Sequence, residues 1–293
     1  MAVHLKRTGK RLAARLCSVV LLLILCCLSA GCGKERREVV RVSFLDVGQG
    51  DCVLVESPEG VILLDTGTAA ATDVLRAYLR MRRITRVDCL ILSHGHDDHI
   101  GGADMVLSEY EVGQVFLPAY ATETVLPDDP AFARFSRALV SSGVPVSHPL
   151  QGETLVMGAL TVTFYLPFET PDGSNNDSLV VKFTYGGTAV LCMADTEAAG
   201  EKNLLSAVAP EVLSCDVLKV GHHGSDGSTT GAFLAAATPQ AAVISCGVGN
   251  AFGHPSARVT QDLESAGVTV YRTDLDGTVI FELSQNGYRK VSK

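Results

Sequence analysis

The strongest constraint on the fold is a run of three histidines and two aspartates, HGHDDH, that directly follows an apolar segment. The apolar segment 87–94 predicts a buried strand. Side chains alternate along an extended chain, so His94 and His96 can point the same way. Asp98 and His99 follow, where we expect a helix to begin. Two imidazoles suit one divalent ion, and a carboxylate with an imidazole suits a second, so we predict a metal site here.

Two further polar clusters follow apolar segments later in the chain. Asp195 follows one of them and, taken alone, could cap a helix that begins near Thr196. Beside the first cluster, we interpret Asp195 as the carboxylate that bridges two ions. His222 and His223 follow another apolar segment. We expect one of them to bind metal, with a preference for His222, and the other to contact substrate or to hydrogen-bond within its loop.

Asp65 and His254 each leave two interpretations open. Asp65 ends the apolar run LLDTG, where it either begins a turn or orients a metal-binding imidazole through a hydrogen bond. His254 either contacts substrate or is simply the residue before a helix that Pro255 begins.

The start of the chain has the character of an export signal. Five basic residues and no acidic ones lead into the apolar run 16–31, which is short for a transmembrane helix. The small residues before Cys32 resemble a bacterial lipobox, which implies cleavage and lipidation of Cys32, whereas an uncleaved N-terminal anchor is the alternative. We predict a lipoprotein signal peptide at 1–31, a tether at 32–38, and a lipid anchor on the extracytoplasmic face of a bacterial cell membrane.

Charge and cysteine usage exclude two other classes of protein. Without residues 1–31 the chain keeps nineteen basic and thirty-two acidic residues, a formal charge of −13. A domain this acidic repels polyanions over most of its surface, so binding nucleic acid through a general basic face is excluded. The five cysteines beyond Cys32 are scattered singly, with no CxxC pair, so we interpret them as small buried hydrophobes rather than as a disulfide framework.

Strand and helix signals alternate from residue 39 to the end, with no internal boundary. This predicts one domain at 39–293 with two packed sheets and helices outside them, an α/β four-layer αββα sandwich. The predicted helices lie at 73–83, near 130–142, and at 196–207, 229–237 and 255–266. The predicted strands lie at 39–47, 52–57, 60–67, 87–94, 160–166, 179–184, 188–194, 215–220, 241–246, 268–272 and 278–283.

These motifs resemble the metallo-β-lactamase superfamily, and within it the hydrolase domain of ComEC-type DNA-internalisation competence proteins. The motifs are FLDVGQGD, LLDTG, SHGHDDHIGG, NDSLV, LKVGHHGS and GHP, in the family order. The resemblance implies that His94 and His96 bind one metal, and that Asp98 and His99 bind the second together with His222 or His223. Asp195 would bridge the two. Many members of the superfamily have a third histidine where this chain has Asn176, which implies a weaker ligand there.

The resemblance implies a hydrolase with two divalent ions, Zn²⁺ or Mn²⁺, and the predicted lipid anchor places it outside the cytoplasm. We expect a phosphodiesterase, first of all a nuclease, because two cations can hold the attacking and leaving oxygens together. Asp98 would orient or deprotonate the water, and His223 and His254 are candidates to contact the substrate or protonate the leaving group.

Two alternatives to a nuclease are kept. One is a phosphodiesterase acting on wall or lipid headgroups, since a phosphorylcholine esterase family shares the VGQGD and HHGS features; a lactam hydrolase is a further variant. The other is a non-catalytic binding lipoprotein on the cell surface. The expected partners are a nucleic acid or small phosphodiester and the membrane, and nothing in the sequence calls for an obligate protein partner.

Overall fold

The described residues build two β-sheets with helices against both. The structure is a computed structural model and describes residues 39–119, 129–167 and 175–291. The predicted signal peptide 1–31, Cys32 and the tether 32–38 lie outside the described residues. Among the described residues, none of the helices has both the length and the apolar character needed to cross a membrane.

The strands of the described residues are numbered here in chain order. They are β1 Val40–Phe44, β2 Val53–Ser57, β3 Gly60–Leu64, β4 Arg86–Ile91, β5 Glu111–Phe116, β6 Val146–Ser147, β7 Thr154–Met157, β8 Leu160–Tyr165, β9 Val180–Tyr185, β10 Thr188–Cys192, β11 Val217–Lys219, β12 Ala241–Ile244, β13 Thr269–Arg272, β14 Val279–Ser284 and β15 Gly287–Val291.

Each sheet is parallel in one part and antiparallel in the other. The first sheet has the order β15-β14-β1-β2-β3-β4-β5-β6, in which β3 to β6 are parallel. The second has the order β13-β12-β11-β10-β9-β8-β7, in which β10 to β13 are parallel. Parallel neighbours end at the same edge of a sheet, so the polar segments that follow β3, β4, β10, β11 and β12 lie at the carboxyl ends of parallel strands.

Helices cover the outer face of each sheet. They are α1 Thr72–Met81, α2 Asp97–Ile100, α3 Ala103–Glu109, α4 Pro130–Ser142, α5 Ala198–Ala207, α6 Gly231–Ala237, α7 Ala257–Ser265 and α8 Thr273–Asp276. Three apolar cores separate four layers: one lies between the sheets, one between the first sheet and α1, α3 and α4, and one between the second sheet and α5, α6 and α7. The predicted α/β four-layer sandwich is therefore confirmed.

Helix α4 illustrates how local sequence sets an element that holds these layers together. The Asp129 carboxylate accepts hydrogen bonds from the backbone N–H groups of Ala131 and Phe132, and Pro130 occupies the first turn, where its missing N–H costs nothing. The helix ends at Gly143, whose φ of 64° suits glycine. Between these ends, Phe132 and Phe135 are buried against the first sheet.

The cysteines of the described residues are buried and form no disulfides, as the sequence predicts. All five in the described residues are free and buried: Cys52, Cys89, Cys192, Cys215 and Cys246. Burial raises the pKa of each thiol above its usual range, so the reactive thiolate form is disfavoured.

Candidate metal centre

Side chains that follow strands of both sheets converge at one place. Asp98 and His99 lie in α2, shortly after β4, while Asp195 follows β10 and His223 follows β11. One ligand atom of each of these four residues lies within 4.8 Å of the others. This group is called the acidic cluster below, and its donors come from both sheets.

The distances between ligand atoms of the acidic cluster are short. His99 Nε2 lies 3.2 Å from Asp195 Oδ1, and His223 Nε2 lies 3.5 Å from the same oxygen. Asp98 Oδ2 lies 3.2 Å from His223 Nε2 and 3.9 Å from His99 Nε2. Asp195 Oδ1 therefore faces two imidazole nitrogens at once, as a shared carboxylate ligand would.

Two of these atoms are buried without a hydrogen-bond partner. His99 Nε2 and Asp195 Oδ1 face each other but are not aligned for a hydrogen bond. Buried polar atoms are nearly always satisfied, so such an orphaned pair calls for an explanation. Carboxylate oxygen and imidazole nitrogen are the donors that zinc and manganese accept in proteins, so the residues present fit a divalent ion.

The electrostatics of the acidic cluster point the same way. Burial lowers the pKa of His99, but nearby carboxylates, Asp195 foremost, outweigh it and raise that pKa well above its ordinary value. Burial also lowers the pKa of His223, and Asp195 and Asp51 together raise it to about 10. The carboxylates thus attract positive charge to a buried site, which is what a cation site requires.

His94 and His96 lie directly beside the acidic cluster. Their rings approach with His94 Nε2 3.0 Å from His96 Nδ1, and the His94 and His99 ring centroids are 4.1 Å apart. Burial, and then the charge of His99, lower the pKa of His94 well below its usual value. The lowered pKa favours the neutral imidazole, which is the form that binds metal.

Asp65 orients the HGHDDH segment through contacts with Ser93 and His99. Its Oδ2 lies 2.8 Å from His99 Nδ1, and its two oxygens accept hydrogen bonds from the Ser93 backbone N–H and hydroxyl, each at 2.7 Å. A carboxylate on Nδ1 leaves Nε2 free to face the acidic cluster. This is the contact expected of an orienting carboxylate; Asp65 also has a φ of 58°, so it turns the chain as well.

The two adjacent histidines of the HHGS segment take different positions. His223 is buried, and its Nδ1 lies 2.9 Å from the Ser245 carbonyl oxygen, which directs Nε2 into the acidic cluster. His222 is partly exposed, with Nδ1 2.8 Å from Glu197 Oε1 and Nε2 3.7 Å from Asp195 Oδ2. The geometry favours His223 as the metal ligand, whereas the sequence led us to prefer His222.

Asn176 is not brought to the acidic cluster through its amide oxygen. That oxygen accepts hydrogen bonds from the backbone N–H groups of Glu197 and Gly200, both at 3.0 Å, at the start of α5. Asn176 thus satisfies a helix N-terminus, a use of asparagine that its sequence neighbours did not reveal. The neighbouring Asn175 instead lies near His222, with Nδ2 3.3 Å from Nε2.

His254 lies at the edge of the site. Its Nδ1 is 3.4 Å from Gln49 Nε2, and its ring centroid is 5.3 Å from that of His222 and 6.2 Å from that of His223. Burial, followed by the charges of His222 and His223, lowers its pKa. His254 is therefore close enough to contact a molecule bound at the acidic cluster.

Sequence analysis missed three charged residues of the site. Lys219 and Asp51 form a buried ion pair of 2.6 Å, and Asp51 Oδ1 lies 3.4 Å from His223 Nδ1. The third is Glu197, the partner of His222. A lysine inside the apolar run VLKV was the only available signal for Lys219. Asp51 ends the FLDVGQGD motif, and Glu197 lies within the predicted helix 196–207.

Two relatives named in the comparison with known proteins match most of this chain. The chain is 34% identical over 259 residues to ComE operon protein 3 of Bacillus subtilis, covering 81% of this chain and 32% of that protein. It is 31% identical over 269 residues to Competence protein ComA of Neisseria gonorrhoeae, covering 89% and 36%. The chain thus spans about a third of the length of these relatives.

A solved structure supports the fold. The metallo-beta-lactamase fold protein YhfI from Bacillus subtilis superposes with a TM-score of 0.56 at 13% identity, covering 84% of this chain and 99% of that one. Residues 45–248 match the Metallo-beta-lactamase superfamily as a whole. The chain therefore belongs to the metallo-β-lactamase superfamily of hydrolases, and it is related to competence proteins.

Proposed function

We propose that this protein is an extracytoplasmic phosphodiesterase that cleaves nucleic acid with two divalent ions, zinc or manganese. One observation carries the proposal: carboxylate and imidazole atoms of the partly buried Asp98 and the buried His99, Asp195 and His223 converge within 4.8 Å. Likeness to relatives named for competence favours nucleic acid among the diesters.

The ligand sets follow from the contacts. His94 and His96 would hold one ion, and Asp98, His99 and His223 the other. Asp195 would join the second set, because its Oδ1 faces both His99 and His223, and the resemblance to the superfamily implies that it also contacts the first ion. When bound, the ions would lower the pKa of a water and neutralise charge on the phosphate oxygens. Asp65, on His99 Nδ1, keeps the opposite nitrogen directed inward.

His222 is assigned as the group that protonates the leaving oxygen. Glu197 on its Nδ1 fixes the orientation of the ring, and Nε2 is left facing the acidic cluster at 3.7 Å from Asp195. A partly exposed histidine oriented by a carboxylate has the arrangement of a general acid. Asp98, which is less buried than its neighbours, is assigned to orient the attacking water, and His254 to contact the substrate.

A second candidate is a phosphodiesterase acting on wall or lipid headgroups. The formal charge of −13 beyond residue 31 favours it, because an acidic surface repels long DNA more than it repels a small or zwitterionic diester. Both candidates use the same acidic cluster, so a direct assay is needed to separate them.

We further propose that Cys32 carries the lipid that holds the protein at the outer face of the cell membrane. The sequence before it supports this assignment, and one acylated residue with more than one chain holds a protein at a bilayer without spanning it. Mass spectrometry of the protein taken from bacterial membranes should show residues 1–31 removed and Cys32 acylated. A full-length chain without acyl groups would instead support an uncleaved anchor.

The test of the proposed activity uses the full chain, purified in detergent without chelator. Single-stranded DNA, bis-p-nitrophenyl phosphate and p-nitrophenyl phosphorylcholine are assayed with added Mn²⁺ or Zn²⁺. His96→Ala should reduce the rate by more than the roughly 10- to 100-fold that loss of a mere outer partner costs. The matched control is His148→Ala, since His148 contacts the Leu117 carbonyl oxygen away from the acidic cluster.

Each outcome of this assay identifies a function. DNA cleavage that His96→Ala abolishes would establish a nuclease. Cleavage of the small diesters alone would assign the protein to headgroup or wall chemistry. Metal-replete protein that binds DNA but cleaves none of the three substrates would be a binding lipoprotein, and the proposal would be wrong.

A further inference from the structure

The loop between β12 and α7 is held in one shape by a single side chain. Asn250 Nδ2 donates to the Gly247 carbonyl oxygen at 2.9 Å and to the His254 carbonyl oxygen at 2.6 Å. Asn250 Oδ1 accepts from the backbone N–H groups of Phe252 and His254, at 3.2 and 3.0 Å. The backbone that carries the side chains of Phe252 and His254 is therefore ordered before any ligand binds, so binding costs little conformational entropy of the loop.

Three rings of similar tilt lead from solvent to the acidic cluster. The Phe252 and His254 centroids are 5.7 Å apart with planes at 25°, and the His254 and His223 centroids are 6.2 Å apart with planes at 26°. His223 is buried within the acidic cluster, and His254 is partly buried. Phe252 is thus the outermost of the three rings, and the innermost lies at the site where a diester would be cleaved.

Phe252 is unusual among the aromatic residues that the structure describes. It is 70% exposed, whereas the other described phenylalanines and tyrosines are buried or partly buried. Its outer face is in contact with solvent while its other side faces His254. An exposed ring supported in this way offers one flat apolar face, which suits a planar group.

We propose that Phe252, supported by His254, forms a stacking subsite for a nucleobase next to the diester cleaved at the acidic cluster. The proposal rests on the proposed function. Base stacking on aromatic side chains is tolerant of sequence, and it requires no basic surface. It therefore gives an acidic protein a way to hold a single strand that its charge would otherwise repel. A quaternary ammonium group would call for a cage of several ring faces, and a single face is offered here.

The experiment compares binding of an ordinary single-stranded oligonucleotide with binding of an abasic one of the same length. The full chain is used with its metal, both strands carry phosphorothioate linkages that resist cleavage, and fluorescence anisotropy is the readout. The wild type should prefer the ordinary strand by roughly 5- to 100-fold, the range expected from loss of base stacking. Phe252→Ala should lose most of this preference by weakening the ordinary strand alone, and Phe252→Tyr should keep it.

Val248→Ala is the matched control. Val248 is on the same loop and is 83% exposed, but it is aliphatic, so its removal should leave the preference unchanged. Kinetics give a second readout: Phe252→Ala should raise KM for the p-nitrophenyl ester of thymidine 5′-phosphate and leave KM for methyl p-nitrophenyl phosphate unchanged.

Failure of the inference and failure of the proposed function give different results. Equal binding of ordinary and abasic strands by the wild type, or equal weakening of both by Phe252→Ala, would overturn the stacking subsite even if DNA is cleaved. Tighter binding of phosphorylcholine than of thymidine 5′-phosphate, lost in Phe252→Ala, would overturn it in favour of a choline site. A base preference without cleavage would leave the subsite standing and remove the nuclease.

Discussion

At the scale of single residues, the least expected feature is a lysine buried in strand β11. Lys219 is 1% exposed, and its Nζ contacts Asp51 Oδ2 at 2.6 Å and the Val220 carbonyl oxygen at 2.9 Å. Burial lowers the pKa of Lys219, but Asp51 outweighs it and raises that pKa. Lys219 thus stabilises the ionised Asp51 carboxylate, whose Oδ1 lies 3.4 Å from His223 Nδ1 and supports the position of the imidazole.

Removing one partner of this pair should be costly. Lys219→Met preserves the volume but leaves the Asp51 carboxylate buried and uncompensated, which should cost about 3–5 kcal/mol of unfolding free energy. The double variant Asp51→Asn with Lys219→Met removes both charges and should recover much of that loss. Urea unfolding of the single and double variants measures the coupling. Additive losses would show that the pair does not act as a unit.

The two adjacent histidines should separate metal binding from catalysis. We expect His223→Ala to lose about one bound ion per chain, because Nε2 is one of the convergent donors. His222→Ala should keep its ions and lose about 10²- to 10⁴-fold in kcat, the range for a general acid. Metal analysis of both purified variants, with their rates, decides between them. Loss of metal from His222→Ala alone would restore the original preference from the sequence.

The sequence predicted many of the residues that form the site, but it did not predict the orientation of their side chains. The HGHDDH run, Asp195 and the HHGS segment indicated a cluster because each follows an apolar strand. The choice between His222 and His223 depends on left-handed backbone at both positions, φ 44° and 53°, which sequence does not specify. The use of the Asn176 oxygen as a helix cap depends on where α5 begins in space.

At the scale of elements, sharp turns follow several of the strands that supply donors. Asp65 after β3, Ala194 after β10, and His222 and His223 after β11 all have positive φ, although none is glycine. Such conformations cost of the order of 1–3 kcal/mol each and persist where surrounding structure fixes them. These turns bring polar side chains of both sheets to one site, and the apolar cores on either side hold the strands that carry them.

Helix α5 also positions the HHGS loop through a buried carboxylate. Glu201 is fully buried, and its two oxygens accept hydrogen bonds from the backbone N–H groups of Thr229 and Thr230. Burial raises the pKa of Glu201 above its ordinary value, despite the lowering effect of these hydrogen bonds.

This raised pKa predicts a pH dependence of stability. A carboxyl whose pKa is higher in the folded than in the unfolded state contributes most when protonated, so its contribution is lost as pH rises through the folded pKa. Relative to Glu201→Gln, the wild type should therefore become less stable as the pH rises above about 4, the ordinary pKa of a glutamate. Urea unfolding of both proteins over a series of rising pH values measures the difference. A wild type that gains stability relative to Glu201→Gln as pH rises would contradict the assignment.

The elements that sequence analysis missed have weak local signals. Strand β5 is interrupted by Gly113, where a Cβ would lie 2.6 Å from the Asp88 carbonyl oxygen, so close packing and not strand propensity selects that glycine. Strands β7 and β15 lie in hairpins with largely polar or exposed sequences. The predicted helices and the central strands are well matched because their apolar residues recur with the period of the element.

At the scale of the whole molecule, the charge of the chain should govern its response to salt. A protein that binds DNA through many basic contacts loses affinity steeply between about 50 and 200 mM salt. Here the formal charge beyond residue 31 is −13, so added salt screens repulsion as well as attraction. We expect KM for single-stranded DNA to stay level or fall over that range. A steep rise in KM would reveal a local basic path for the strand.

The sequence predicted the two-sheet architecture because its motifs follow one another along the chain in the same order as the strands that they terminate. Each polar cluster marks the end of a strand, so the motifs also fix the edge where the site forms. Nothing comparable marks the pairing of β14 with β1, which joins residues about as far apart as the described chain allows, Val40 with Leu283. Long-range pairing of this kind is set by packing between the sheets and not by local sequence.

The acidic cluster joins residues that are distant in sequence, and this has a thermodynamic consequence. Asp98 and His223 are 125 positions apart, so an ion bound by both closes a long chain loop, as a covalent cross-link would. By the chain-entropy argument, a cross-link around a loop of roughly 100 residues removes several kcal/mol of freedom from the unfolded ensemble. The described cysteines form no disulfide. In this protein a bound ion would therefore act as a reversible cross-link between distant parts of the chain. A chelator should lower the free energy of unfolding, and added metal salt should restore it.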